Sequence, residues 1–232
     1  RNRTPNFNPN NLVNKFDEIA TRHGVKWTSR ELEFVENPSP AGDFMYLDNT
    51  GTFQGGEIRM NRRFYMKDGK PFGVYHSLFT MSPDLQGRSF SKELFAALLE
   101  EYKNMGLKEI TVTANITVGG YAWANYGFEA TKPEQVLAIF ADIENKVQAA
   151  GGRSTFTDNK GGTSVVTFKE VERIRGLILA WYEKNPDKPF PMSVLSRRKS
   201  GKAVLLGSYW SGVLDMTKKR KLRIFEAYLN QR

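Results

Sequence analysis

Residues 83–130 read PDLQGRSFSKELFAALLEEYKNMGLKEITVTANITVGGYAWANYGFEA, and this block decides the fold. Pro83, Gly87 and the serines at 89 and 91 make a turn-rich opening. Leu94, Phe95, Leu98, Leu99 and Tyr102 then fall on one helical face, and Gly106 closes that helix. Ile110, Val112 and Ala114 alternate, as a short strand does, and a second helix is expected over Tyr121 to Tyr126. With a strand before Pro83, the order is strand, turn, helix, strand, the pattern of a right-handed crossover unit with parallel neighbours.

Upstream, three runs have strand character: Phe44 to Leu47, Gly56 to Tyr65 and Gly73 to Met81. The turn-rich Asp48-Asn49-Thr50-Gly51 and Lys67-Asp68-Gly69-Lys70 part them, which predicts an antiparallel meander. Before it, an unstructured lead-in of ten Asn- and Pro-rich residues is followed by one amphipathic helix carrying Leu12, Phe16, Ile19 and Ala20, ended by Gly24. Downstream, Pro133 opens a helix with Val136, Phe140, Ile143 and Val147 in a stripe. A hairpin or mobile loop is expected from Gly151 to Gly162, then a strand around Thr163 to Phe168. A further helix places Ile174, Leu177, Ile178 and Trp181 on its buried side, and a last one begins at Lys218 to Lys221 and carries Leu222, Phe225 and Leu229. The expected architecture is a mixed α/β fold with a central mixed sheet: a helical lead-in over 1–43, a core over 44–130, and a helix-rich, basic extension over 131–232.

The composition narrows the chemistry. A chain of 232 residues, 40% hydrophobic and 25% charged, has enough material for one full core, and no run of about 18 apolar residues offers a membrane span. There is no cysteine, which removes disulfides, thiolate metal sites and cysteine nucleophiles, and the two histidines, His23 and His76, leave little for a transition-metal cage. No charged-then-apolar leader stands at the start of the chain given, and it opens on Arg1 without an initiator Met, so a processed chain or a fragment is expected. The net charge of +9 is lopsided: residues 188–232 hold 11 Lys/Arg against 2 Asp/Glu, and the rest balance. Arg197, Arg198, Lys199, Lys202, Lys218, Lys219, Arg220 and Lys221 are the candidate contacts for nucleic acid or an acidic protein; a solvated basic face is the alternative.

The turn at Gln86-Gly87-Arg88 leads into a helix beginning near Ser89, whose first N–H groups have no intrahelical acceptor and whose dipole favours an anion. Arg88 and Lys92 add charge there. A simple capped helix with Ser89 or Ser91 as cap is the competing reading. The Gly-rich stretch at Gly151 to Gly162 is too irregular for a nucleotide fingerprint, and GGTS at 161–164 lacks the Lys of a Walker-type loop.

Gln86 at the head of the loop, the helix over Leu94 to Gly106, the strand Ile110 to Ala114, Asn115, and the closing Gly127-Phe128 stand in a joint order that resembles the GNAT superfamily of acyl-CoA-dependent N-acyltransferases. The likeness covers under half the chain. It implies acetyl-CoA as acyl donor, an amine as acceptor, and a cofactor site formed by Phe79, Thr80, Met81, Gln86, Gly87, Arg88, Ser89, Phe90, Ser91, Asn115, Trp123 and Tyr126. Two departures stand out. Ser89 and Ser91 occupy the loop positions where the family has glycine-type residues, and Trp123 stands where it places a Tyr general acid. Indole has no ionisable proton, so Tyr121 and Tyr126 are the nearest phenols. His76 and Glu57 are the candidate bases, with an interior histidine and a solvated strand residue as the plainer readings, and Tyr121 the candidate acid. The run Gly119 to Phe128 and the block LLGSYWSGVLDM, Leu205 to Met216, are similar to segments that accompany such domains in phage head-associated and polymorphic-toxin-like proteins. That implies a place in the host cytoplasm or on a virion, and a noncatalytic module as the alternative function. Core packing is the plain physical reading of the same aromatics.

Overall fold

A computed structural model describes residues 7–157 and 162–230, with backbone only for 116–118. The chain is mixed α+β and divides into two compact units, residues 1–111 with 215–232, and residues 112–214.

In the first unit α1 (Pro9–His23) begins at an Asn8 cap, whose side chain accepts from the Asn10 amide, with Pro9 at the position where a missing N–H costs nothing. It ends at Gly24 in the left-handed conformation (φ 70°). β1 (Lys26–Phe34), β2 (Asp43–Phe53), β3 (Gly56–Lys67) and β4 (Lys70–Thr80) follow as an antiparallel meander. Two corrections to the sequence reading arise here. Residues 26–34, within the expected helical lead-in, form a strand, and Asp48 to Gly51 lie inside β2 rather than in a turn. The chain turns instead at Gln54-Gly55, both at positive φ (50° and 81°), the same geometry as Asp68-Gly69 at the next turn (51° and 72°).

α2 (Phe90–Asn104), β5 (Glu109–Ala114) and α8 (Lys219–Leu229) complete this unit, except that β5 runs past the division at Thr111. α2 buries Leu94, Phe95, Leu98, Leu99 and Tyr102, the stripe expected of it. These meet the face of β3 and β4 that carries Phe64, His76 and Phe79, with ring centroids 5.8 Å apart for Phe64 and Tyr102 and 5.0 Å for Phe79 and Phe95. The β3–β4 ladder pairs Arg62 with His76 and then Asn61 with Leu78. Ser77 is therefore the extra residue of a β-bulge, which re-aims the rest of β4 so that Phe79 shares the helix-covered face with His76.

The second unit holds α3 (Ile116–Asn125), β6 (Glu129–Ala130), α4 (Pro133–Ala149), a hairpin of β7 (Arg153–Thr157) and β8 (Thr163–Thr167), α5 (Phe168–Lys184), β9 (Phe190–Pro191), two short helices α6 (Ser193–Ser196) and α7 (Gly201–Leu205), and β10 (Trp210–Asp215). The tip of the 151–162 segment, residues 158–161, lies outside the described residues, as do residues 1–6 of the lead-in. Val136, Phe140, Ile143 and Val147 are buried as expected; Leu177 is not, being 39% exposed, so the buried side of α5 is Val171, Ile174 and Ile178. Among the described residues eight strands form one mixed sheet in the order β1-β2-β3-β4-β5-β10-β6-β9, so it takes in strands that precede and follow the expected 44–130 core in sequence. Among the described residues no helix is long and apolar enough to cross a membrane.

Candidate functional site

The segment between β4 and α2 has a built geometry. Ser82 is buried against Gly56, where a Cβ would lie 2.5 Å from the Ser82 hydroxyl, so the close approach requires glycine. A short 3-10 turn over Pro83–Leu85 follows, then Gln86 in extended form and Gly87 at φ 80°. Ser89 is left-handed (φ 64°) and makes no side-chain cap. Its carbonyl accepts the Glu93 amide at 3.0 Å, which opens the helix ladder, so the Phe90 and Ser91 amides precede any intrahelical acceptor. Gly87, Arg88 and Ser89 are exposed, so the mouth of α2 opens to solvent. Phe90 points the other way, 1% exposed, with its ring 5.5 Å from that of His23 and 6.3 Å from that of Trp27. Arg88 lies over the Phe53 ring at 5.2 Å and Lys92 over Tyr228 at 5.0 Å.

Sequence reasoning missed a trio beside this mouth. Glu93, in the first turn of α2, accepts from Arg22 (2.5 Å) and is hydrogen-bonded to His23 Nε2 (3.0 Å). Burial pushes the Glu93 carboxyl up, but the His23 and Arg22 bonds outweigh it and leave the pKa lowered. The acid therefore stays ionised with its charge balanced by the end of α1, where a cation also suits the helix dipole. Its signal in the sequence was the basic pair Arg22-His23 just before a helix-ending glycine.

The candidate bases differ in access. His76 is 4% exposed, hydrogen-bonded through Nε2 to the Tyr102 hydroxyl at 2.9 Å and stacked on Phe95 at 5.8 Å. Burial, then the nearby Arg62 charge, holds its pKa well below the ordinary histidine value, so it is a neutral imidazole inside the core. Glu57 is exposed on the opposite face of β3, paired with Arg59 at 2.8 Å, close in sequence to the Gly56 that touches Ser82. Phe79, Thr80 and Met81 are half-buried.

The remaining family-derived positions belong to the second unit. Asn115 caps α3 by position but without a side-chain bond. Tyr121 and Trp123 are half-buried, and Tyr126 is buried. The Trp123 ring packs on Tyr126 at 5.4 Å and on Phe128 at 5.1 Å, an aromatic core cluster.

The basic residues divide as well, 197–202 in the second unit and 218–221 in the first. Arg198 is half-buried and engaged: its Nε donates to Glu170 at 2.9 Å, Ser200 donates to the same oxygen at 3.0 Å, and the Arg198 bond, against burial, holds the Glu170 carboxyl below its ordinary pKa. Arg197 and Lys199 are exposed and Lys202 half-buried. Lys218, Lys219 and Arg220 are exposed, and Lys221 half-buried. No protein-family model matches this chain, and no curated protein matches it.

Proposed function

We propose that this chain is an acyl-CoA-dependent N-acyltransferase that moves an acetyl group from acetyl-CoA to an amine. The observation that carries the reading is the left-handed Ser89 ahead of an uncapped, solvent-facing helix start. A non-glycine residue pays about 1–2 kcal/mol for that conformation. The backbone thus keeps, with serine, the shape for which the resembling family uses glycine. The Phe90 and Ser91 amides would receive a diphosphate, with Arg88 swinging off the Phe53 ring to join them. The backbone of Phe79 to Met81 would align the pantetheine arm and polarise the thioester carbonyl. In the reaction the amine nitrogen bonds to the carbonyl carbon, the carbon–sulfur bond breaks, the amine proton passes to a base and the thiolate is protonated. Glu57 suits the base role better than His76, because it is reachable from solvent.

Calorimetric titration with acetyl-CoA tests this. Saturable binding of one equivalent is expected, and it should persist in Ser89→Gly, which is also expected to raise stability by up to about 1 kcal/mol by relieving the left-handed serine. Heats no larger than dilution at millimolar acetyl-CoA would remove the reading.

A second reading has its own observation. α8 opens with Lys218, Lys219, Arg220 and Lys221 at the positive end of the helix dipole and without a side-chain cap. Each such charge is unfavourable by about 0.3–1 kcal/mol unless an anion offsets it. A noncatalytic, phage-type structural or effector module would use this end to hold nucleic acid or an acidic protein. It predicts salt-dependent retention on nucleic acid that falls at least tenfold when residues 218–221 are neutralised. Retention indifferent to that change counts against it.

A further inference from the structure

Three separate segments of the first unit bring exposed cations to one place, and backbone hydrogen bonds tie them together. Lys67 and Lys70 close the β3–β4 hairpin as a cross-strand pair, so two like charges stand directly opposite each other. The Lys67 ammonium lies 4.8 Å from the centroid of the Phe72 ring, and the Phe72 carbonyl accepts the Lys108 amide at 2.7 Å. The Lys108 carbonyl in turn accepts the Met216 amide at 2.8 Å, just before Lys218 opens the basic run into α8. Lys67, Lys70, Lys108, Lys218, Lys219 and Arg220 are all exposed, and none of them makes an ion pair among the described residues. Nearby acids are engaged elsewhere. Glu109 accepts from the Tyr65 hydroxyl at 2.6 Å, Asp215 accepts from the Thr217 amide at 2.9 Å, and Glu226, the one acid of α8, is paired with Lys103. Asp68 at the hairpin tip is exposed beside Lys67.

Like charges gathered in this way repel, and a polyanion laid across them offsets the repulsion. We propose that this end of the first unit is a docking surface for the phosphate backbone of duplex nucleic acid, with Lys67, Lys70 and Lys108 extending the contact made by Lys218, Lys219 and Arg220. The inference rests on the nucleic-acid reading of α8 given above and adds to it two segments far from α8 in sequence. The surroundings select the partner. None of the segments carrying these cations presents an exposed large apolar side chain, whereas a protein partner needs aromatic or aliphatic anchors at the centre of its interface. The apolar residues of α8 are turned into the unit, Phe225 and Leu229 buried and Leu222 and Ile224 half-buried, so little is left to enter a lipid surface. Phe72 and Tyr65 are half-buried, the first beneath Lys67 and the second bonded to Glu109, so neither is a platform for the unpaired bases of a single strand. Charge without apolar or aromatic anchors suits the regularly spaced phosphates of a duplex and reads no base sequence.

Fluorescence anisotropy of the full chain with a labelled DNA duplex of about 20 base pairs, repeated over a series of salt concentrations, tests the surface. Single-stranded DNA of the same length and polyglutamate are the competing anions. Lys67→Gln/Lys70→Gln/Lys108→Gln is expected to weaken duplex binding at least about tenfold and to reduce the slope of log affinity on log salt by about two to three, since each phosphate contact contributes about 0.9. Lys169→Gln/Lys184→Gln/Lys188→Gln removes the same charge from exposed positions of the second unit and should bind within about twofold of the unaltered chain. Equal losses in the two variants, or tighter binding of the single strand or of polyglutamate than of the duplex, would overturn the proposal. An unchanged slope in the first variant, with binding still lost on neutralising residues 218–221, would also overturn it while leaving the nucleic-acid reading confined to α8. Failure of the unaltered chain to bind the duplex would remove both.

Discussion

Phe90→Ala is expected to lower the stability of the first unit by about 3–5 kcal/mol and to abolish acetyl-CoA binding in the same variant. The ring is 1% exposed at the first position of α2 and meets both His23 at the end of α1 and Trp27 in β1. Removing it leaves a cavity where the helix start packs on α1 and β1. The loss extends beyond packing, because Ser89 in its left-handed state has no side-chain cap to hold it and would relax once the anchor is gone. The first turn would then fray and its amides would lose their common direction. Urea unfolding measures the stability and calorimetry the binding. A loss under about 1 kcal/mol, or binding kept intact, would show that something other than this ring sets the mouth of the helix.

Gly201→Ala carries the second large effect, about 3 kcal/mol or more of destabilisation in the second unit. A Cβ at this position would collide with the Leu195 carbonyl oxygen and lie 2.6 Å from the Ser196 oxygen and 2.8 Å from the Ser196 carbon, all backbone. None of these atoms can swing aside as a side chain would, so α6 and α7 must separate. The corner between them holds Ser200 and Arg198 on Glu170, and their bonds would be strained with it. Gly176 is the internal control. It lies mid-helix in α5 with nothing within 4 Å of an added Cβ, and Gly176→Ala is expected to raise stability by about 0.5–1 kcal/mol. Thermal unfolding of the two variants should move in opposite directions, and a tolerated Gly201→Ala would mean that the α6–α7 corner is looser than its contacts imply.

The open helix mouth and the buried Arg62 also mark how far residue patterns reach. The α2 stripe, the glycine after α1 and the Pro133 helix start are short-range properties, and periodicity and capping chemistry determine them within one segment. The alternation of β3 already placed Arg62 among Ile58, Met60 and Phe64, and that of β4 already paired His76 with Val74 on the inner side. What alternation does not carry is the partner list. That Nη1 fills the Ser77 bulge and that the guanidinium lies beside Phe79 and Phe95 depends on where Leu78, Phe79 and Phe95 arrive.

β1 shows the same limit for the fold. It is exposed along most of its length, so no face of it must be apolar and it has no period-2 signature; it is a strand because β2 offers a ladder of partners. Asp48 to Gly51 have turn composition, yet they run straight because β1 and β3 flank them and Gly51 lets the Trp27 ring lie against the backbone. The sequence by itself thus determined the long helices α1, α2, α4, α5 and α8, the Asp68-Gly69 turn, the absence of thiol chemistry and the concentration of charge after residue 187. Tertiary structure decided the edge strand, the depth of His76, the division of the basic residues between two units and the surroundings of the buried Arg62. Local periodicity is set by neighbours a few residues away, whereas burial and hydrogen-bond satisfaction are set by residues that meet only when the chain has closed on itself.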